Sequence, residues 1–252
     1  VSATFHETPE QAMRRVTAEI IRRGLKLGRR KHRTIYISKT SRGQGIPLSD
    51  LDPATPEGKQ RLEAFLAKPA RYYTVSGLGA PEEQDAIHWR DLNLPPFRRL
   101  KLQVMVGISF LLKGTPFKNR FYRVMGVHIG RNVEIMQMVW LDHFRPELIF
   151  IGDHTLLGAF TQITVHAYEG CGRFRYGLVE IGSHCILGAG AGLGMIRIED
   201  NVRILPGTVV SPYYPRIKAG TVVGYDPPPR SNPASDRPAP SSASGENPAS
   251  GA

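Results

Sequence analysis

The chain is poor in cysteine, in long apolar runs and in acidic side chains. Cys171 and Cys185 are its two cysteines in 252 residues, too few for a disulfide framework, and they point to a reducing compartment. The longest apolar stretch, Val104 to Leu112, is nine residues with Gly107 and Ser109 inside it, far short of the ~20 that a membrane span needs. Val1 to Gly28 is polar and helix-patterned, not charged and then apolar, so no secretory leader is expected there. Asp and Glu number 22 against 33 Lys and Arg, a net charge of +11. That excess raises nucleic-acid binding as a question, but zinc-finger spacing and an aromatic-rich RNA-binding signature are both missing. The basic cluster Arg22, Arg23, Lys26, Arg29, Arg30, Lys31 and Arg33 therefore reads as a solvated or anionic-surface-facing face, and nucleic acid is not the expected partner.

What is present divides the chain into four parts. Residues 1–95 read as a helical and irregular extension. Thr8-Pro9-Glu10-Gln11 carries an N-cap, a first-turn proline and a reciprocal capping glutamine. Met13, Val16 and Ile20 follow at helical spacing, so a helix to about Lys26 is expected, with Gly24 and Gly28 weakening its end. Thr55-Pro56-Glu57 starts a second helix with Leu62, Phe65 and Leu66 as its stripe. No chemistry is legible in this extension. Residues 96–120 read as an apolar helix with basic ends, packing on the rest of the protein or, through 97–113, touching a membrane surface. Residues 121–225 carry a repeat. Residues 226–252 are Pro, Ser, Ala, Gly and Asn with almost no large apolar residue, and read as a disordered tail.

The repeat counts in sixes. Ile129 leads to Ile135, Ile151 to Leu157 and Ile163, and Ile181 to Leu187 and Leu193. After a five-residue step, Ile198 leads to Ile204 and Val210. An aliphatic residue every sixth position is the signature of a hexapeptide-repeat β-helix, in which three short strands make one triangular coil and the aliphatic residues stack inward. Small residues at the fifth position, such as Thr155, Thr161, Cys185 and Ala191, also suit the interior. Gly130, Gly152, Gly158, Gly182 and Gly188 follow the aliphatic residue, where a constrained turn is expected. His154 and His184 stand where a turn asparagine would.

Two interruptions break the count: Trp140 to Leu148 (WLDHFRPEL) and Ala167 to Leu178 (AYEGCGRFRYGL). Loops thrown from a rigid solenoid are natural places for a site. His166 closes the strand before the second one, and imidazole titrates near neutrality.

The run PELIFIGDHTLLGAFTQITVHAYEG, followed by GLVEIGSHCILGAGA, resembles the hexapeptide-repeat acyltransferases, a group that includes sugar, maltose-type and xenobiotic O-acetyltransferases. The resemblance covers about Phe121 to Asp226. It implies a mainly β, left-handed parallel β-helix and transfer of an acetyl or other acyl group from acyl-CoA to a hydroxyl or amino acceptor. It further implies direct attack with His166 as general base. Asp142 or Glu169 would orient that base; this chain has Ala167 where many relatives carry Glu directly after the histidine. Gly188, Ala189, Gly190 and Ala191 would line the donor arm, and Arg216 and Lys218 would meet its phosphates. His143, Tyr168, Arg173 and Arg175 are candidates for the acceptor, a saccharide or small molecule. Neither cysteine needs to be a nucleophile. The resemblance also implies a homotrimer; no metal is expected, and the cysteine usage with the 97–113 segment gives the expected location as the cytoplasm or the inner face of a membrane. The Leu193-Gly194-Met195-Ile196-Arg197 segment is shorter than in relatives, which predicts a tightened coil.

Two other readings stand beside this one. A non-catalytic β-helix scaffold needs no His166 chemistry. A zinc carbonic anhydrase on the same fold needs three converging histidines, and His143, His154, His166 and His184 show no five-residue pair.

Overall fold

The structure is a computed structural model that describes residues 5–40, 45–93, 96–112, 116–210 and 216–224. The tail expected over 226–252 lies outside the described residues.

Helix α1 spans Pro9–Lys31 and opens on the full reciprocal cap between Thr8 and Gln11. It runs five residues beyond the expected end. Gly28 sits on its buried face, where a Cβ would lie 2.7 Å from the carbonyl oxygen of Arg33. The close packing that glycine permits offsets its ~1 kcal/mol helix penalty. Strands β1 (Tyr36–Ser38) and β2 (Ile46–Pro47), helix α2 (Pro56–Ala67) and strand β3 (Tyr72–Ser76) follow, then a short helix α3 (Trp89–Asn93). The α2 stripe of Leu62, Phe65 and Leu66 is buried.

Helices α4 (Pro96–Leu111) and α5 (Pro116–Met125) lead into the repeat. The first coil contributes β4 (His128–Ile129), β5 (Glu134–Ile135) and β6 (Trp140–Leu141). The second contributes β7 (Ile149–Ile151), β8 (Leu156–Leu157) and β9 (Gln162–Ile163). A hairpin of β10 (His166–Gly170) and β11 (Arg173–Gly177) interrupts the winding. It resumes with β12 (Val179–Ile181), β13 (Ile186–Leu187), β14 (Gly192–Leu193), β15 (Arg197–Ile198), β16 (Arg203–Ile204) and β17 (Val209–Val210), and then β18 (Arg216–Ile217) and β19 (Val222–Val223).

Three parallel sheets result, and the fold is a left-handed parallel β-helix. Their registers turn the hexad count into columns. Ile129, Ile151, Ile181, Ile198 and Ile217 pair in line, as do Ile135, Leu157, Leu187, Ile204 and Val223. Leu141, Ile163, Leu193 and Val210 form the third column. The six-count therefore reaches Leu141, and the first interruption begins at Asp142 rather than at Trp140. The five-residue step leaves Ile198 paired with Ile181, so the coil is shortened without slipping register.

The glycines after the inward residues serve a different purpose from the one expected. None of Gly130, Gly152, Gly158, Gly182 or Gly188 has positive φ. At Gly152 a Cβ would lie 2.5–2.6 Å from the backbone of Gly182 and Ser183, so close stacking of coils excludes a side chain. The left-handed residue comes two positions later, at Asn132, His154, His184 and Asn201, with φ of 51° to 58°. Asparagine and histidine are among the residues that tolerate that region. His154 and His184 stack at 4.9 Å as turn residues.

The first coil has a chemical problem at its open end. Outside the left-handed turn residues, coil N–H groups donate to carbonyls of the following coil, as Gly130 does to Ile151 and Gly152 to Ile181. The first coil's carbonyls, apart from those of Arg131 and Gln137, which accept from His154 and Phe160 N–H, therefore face no preceding coil. Helix α5 supplies the missing donors. Lys118 Nζ reaches Met136 O at 2.6 Å, Asn119 Nδ2 reaches Val133 O at 2.5 Å, and Tyr122 OH reaches Val139 O at 3.1 Å. Arg123 donates to the carbonyls of Ile129 and Gly130. Helix α4 packs Leu102, Val106 and Ser109 inward, with Ser109 Oγ 3.0 Å from the Tyr122 hydroxyl.

The extension is built into the repeat. Strand β3 pairs with β11 along Phe174–Val75 to Gly177–Tyr72, giving one antiparallel sheet in the order β10-β11-β3-β1-β2. The second excursion is thus the seam between the first ninety residues and the coil.

Candidate functional site

The two interruptions leave the coil at the same corner, one coil apart. Asp142 follows β6 and donates its N–H to Ile163 O; Val165 and His166 follow β9 directly above. The fully buried Asp142 carboxylate accepts from Phe144 N at 2.8 Å and Val165 N at 3.0 Å, and meets His166 Nδ1 in a short hydrogen bond. Burial alone would raise the Asp142 carboxyl. The hydrogen bond and charge of His166, with the two backbone N–H groups, outweigh it and hold the carboxyl below the usual range. The contact is made through Nδ1, so the other ring nitrogen of His166, Nε2, is not the one held by the carboxylate.

An aromatic wall surrounds the pair. Trp89 lies over His166 with ring centroids 4.9 Å apart, Phe144 meets it edge-on at 5.1 Å, and Phe174 is 5.9 Å away. Trp89 comes from α3, in the extension where no chemistry was legible. That helix is pinned by Arg23, which donates to Asp91 O, and by the fully buried Arg145. Arg145 reaches Glu19 at 2.9 Å, Glu147 at 3.3 Å, Asn93 Oδ1 at 3.4 Å and Leu92 O at 3.5 Å. Asn93 in turn donates to Trp89 O at 3.0 Å. Trp89 carries no sequence signal, whereas Phe144 and Phe174 lie within the interruptions.

His143 sits beside this wall, 4.2 Å from the Phe144 ring, and both its ring nitrogens are buried without a hydrogen-bond partner. Burial pushes its pKa down; the Asp142 charge opposes this, while His166 and Arg90 add to it. Tyr168 joins His88 and Trp89 around a cavity of about 160 Å³, and a second cavity of about 430 Å³ lies among His88, Arg90, Asp91 and Gln103. A wider cleft of about 740 Å³ lies elsewhere, between the start of α1 and strands β7, β12 and β15. Its carboxylates, Glu7, Glu10, Glu180, Glu199 and Asp200, suit a polyanion poorly, and neither His166 nor Asp142 lines it.

Other residues singled out in the sequence are engaged elsewhere. Glu169 pairs with Arg175 at 2.6 Å and Arg173 at 3.8 Å, within the hairpin. Arg175 also lies over the Tyr72 ring at 5.2 Å. Gly188, Ala189, Gly190 and Ala191 form the corner between β13 and β14, with Ala189 and Gly190 exposed and Ala191 inward. Arg216 is paired with Glu199, and Lys218 is exposed beside Ala219. Cys185 is buried, and burial pushes its thiol up, away from thiolate chemistry. Cys171 is exposed at the hairpin tip with φ of 46°. Among the described residues no group of three or more His, Cys, Asp and Glu could hold a metal ion.

No protein-family model matches the chain. Proteins of Staphylococcus aureus strains MSSA476 and MW2 that carry provisional acetyltransferase names are each 36% identical to it over 125 residues, 49% of this chain and 78% of the relative. A maltose O-acetyltransferase from Clostridium difficile 630 aligns over 50% of this chain and 80% of its own, at 18% identity and a TM-score of 0.38. A serine acetyltransferase isoform 3 from Entamoeba histolytica, solved with cysteine, aligns over 55% and 52%, at 16% identity and a TM-score of 0.19. The fold defines a hexapeptide-repeat β-helix protein with a histidine at a broken corner. The sequence relationship goes further: the chain belongs to the hexapeptide-repeat acyltransferase family.

Proposed function

We propose that the protein moves an acetyl or other acyl group from acyl-CoA to a hydroxyl acceptor, or less readily an amine, with His166 as general base. The observation that carries this is the buried Asp142 carboxylate on His166 Nδ1, which supports a base with Nε2 as its proton acceptor. The acceptor oxygen attacks the thioester carbonyl as its proton passes to Nε2, and coenzyme A leaves as thiolate that recovers that proton. No covalent enzyme intermediate is involved. Asp142 fits the orienting role better than Glu169, whose carboxylate is taken by two arginines. Tyr168, His143 and Trp89 border the acceptor side. The exposed Ala189–Gly190 corner and the exposed Lys218 are donor-side candidates. The N–H groups of Gly188, Gly190 and Ala191 already donate to the carbonyls of Ile204, Ala159 and Gly188, so the corner would line the donor by contact, and Arg216 would first have to release Glu199.

Exposed apolar residues on the outer coil faces, Ile186, Val209 and Val222, support a homotrimer with the donor channel between neighbouring copies. Two unpaired cysteines support a cytoplasmic setting. The test is release of coenzyme A from acetyl-CoA across hydroxyl and amine acceptors, with His166→Ala protein as the blank. A loss of roughly 10²–10⁴-fold with retained folding is expected. An unchanged rate in the variant would leave the scaffold reading in its place.

A further inference from the structure

We propose that helices α4 and α5 form a docking surface for an anionic lipid bilayer, a function separate from the acyl-transfer chemistry. The observations are a continuous apolar stripe on the outer face of α4 and a run of sequence through α4 and α5 that carries basic but no acidic residues.

At 100° per residue, Phe97, Leu100, Val104, Ile108 and Leu111 fall within an arc of about 80° on one side of α4. All five are exposed, Phe97 and Leu111 by 82% and 84%. Leu102, Val106 and Ser109 occupy the opposite side and are buried against the rest of the protein. The helix therefore has two apolar faces, and its packing on α5 and the first coil uses only one. Helix α5 repeats the arrangement: Lys118, Asn119, Tyr122 and Met125 face the coil, while Phe117 and Val124 are 64% and 69% exposed.

Charge identifies the occupant. No acidic residue lies between Asp91 and Glu134, a stretch that carries Arg98, Arg99, Lys101, Lys113, Lys118, Arg120, Arg123 and Arg131. Of these, Arg98, Lys101, Arg120 and Arg123 are exposed on the two helices, Arg123 with its guanidinium turned to the first coil's carbonyls. On the helical wheel Lys101 lies about 20° past one edge of the apolar stripe and Arg98 about 60° further round, and their long side chains can extend to lipid phosphates when the stripe enters the headgroup boundary. A purely apolar partner would not need this one-signed surround, whereas an anionic membrane is attracted by it. At 16 residues α4 is too short to span a bilayer, and no helix among the described residues is long and apolar enough to cross a membrane. The mode is therefore a helix lying in the interface.

The test is sedimentation of the full chain with vesicles of phosphatidylcholine alone or mixed with phosphatidylglycerol. Binding only to the mixed vesicles is expected, with release as salt shortens the Debye length from about 10 Å at 0.1 M to about 3 Å at 1 M. Each basic side chain near an anionic surface adds roughly fivefold to the partition coefficient, so Arg98→Glu/Lys101→Glu should lose at least about twentyfold. Leu100→Glu/Val104→Glu should abolish binding; should it fail to fold, the charge reversal and the salt release decide. Two results would overturn the proposal. One is absence of sedimentation with phosphatidylglycerol vesicles at low salt. The other is a wild-type assembly that Leu100→Glu/Val104→Glu breaks apart without any vesicle binding, which would make a second copy the occupant.

Discussion

The indole of Trp89 lies over the imidazole of His166 at 4.9 Å, tilted by 32°, although the two residues come from opposite sides of the fold's main seam. The indole bounds one face of the imidazole, and on the proposed mechanism an acceptor bound at His166 would pack against it. Trp89→Ala should raise the acceptor KM and lower kcat/KM by roughly tenfold, the upper range for an aromatic pair, while Trp89→Phe keeps most activity. Steady-state kinetics on both variants check this. Equal losses in the two would mean the ring face is irrelevant.

Asp142 and Glu169 were equal candidates to orient the base, and their surroundings separate them. Asp142→Asn should lower kcat by roughly 10²–10⁴-fold with little change in KM, as for loss of an oriented general base. Glu169→Gln should stay within about twofold, because its carboxylate serves hairpin arginines. The ratio of the two kcat values is the measurement, and a larger loss from Glu169→Gln sinks the assignment.

Arg145 is fully buried and binds two carboxylates and the end of α3. Arg145→Ala leaves Glu147 buried without its cation and should cost about 3–5 kcal/mol. Urea denaturation monitored by circular dichroism reads this, and a loss under about 1 kcal/mol would show that water replaces the guanidinium.

The stacking of coils sets a steric test. Gly152→Ala places a methyl 2.5 Å from the backbone of Gly182 and should destabilise by roughly 1–3 kcal/mol. Since φ is not positive at Gly152, backbone strain would not contribute. A neutral result in thermal melting would mean adjacent coils separate more easily than their spacing suggests.

His128 stacks on Phe150 at 4.1 Å, and burial lowers its pKa, with Glu7 opposing and Arg15 reinforcing. A histidine depressed in the folded state binds more protons when unfolded, so its contribution to stability falls as pH drops below the ordinary histidine range of about 6.5. His143 acts in the same direction. The melting temperature should therefore fall between about pH 7 and pH 5, and His128→Phe should flatten that slope. An unaltered slope in the variant would assign the acid sensitivity to other groups.

Much of the coil was legible because a hexad is a local property. Each inward aliphatic residue is followed six positions later by its successor, and stacking merely brings the same chemistry into columns. The cap of α1 was equally local. The fold's seam was not, because β3 and β11 are joined by pairing across about a hundred residues of chain, and nothing in either strand names its partner. The glycine positions were read correctly and explained wrongly: sequence shows a residue without a side chain, and only the stacked coils show that contact, not φ, demands it.

By itself, then, the order of residues determines a triangular coil, its columns, and two places where the winding must break, since these follow from spacing along a single strand path. Only the tertiary structure decides that both breaks open at one corner and that Asp142 rather than Glu169 meets His166. It alone brings Trp89 from the extension to cover the histidine. Those relations depend on the 22-residue rise from Ile129 to Ile151 and on a buried arginine holding α3, distances that close only when the coils are wound.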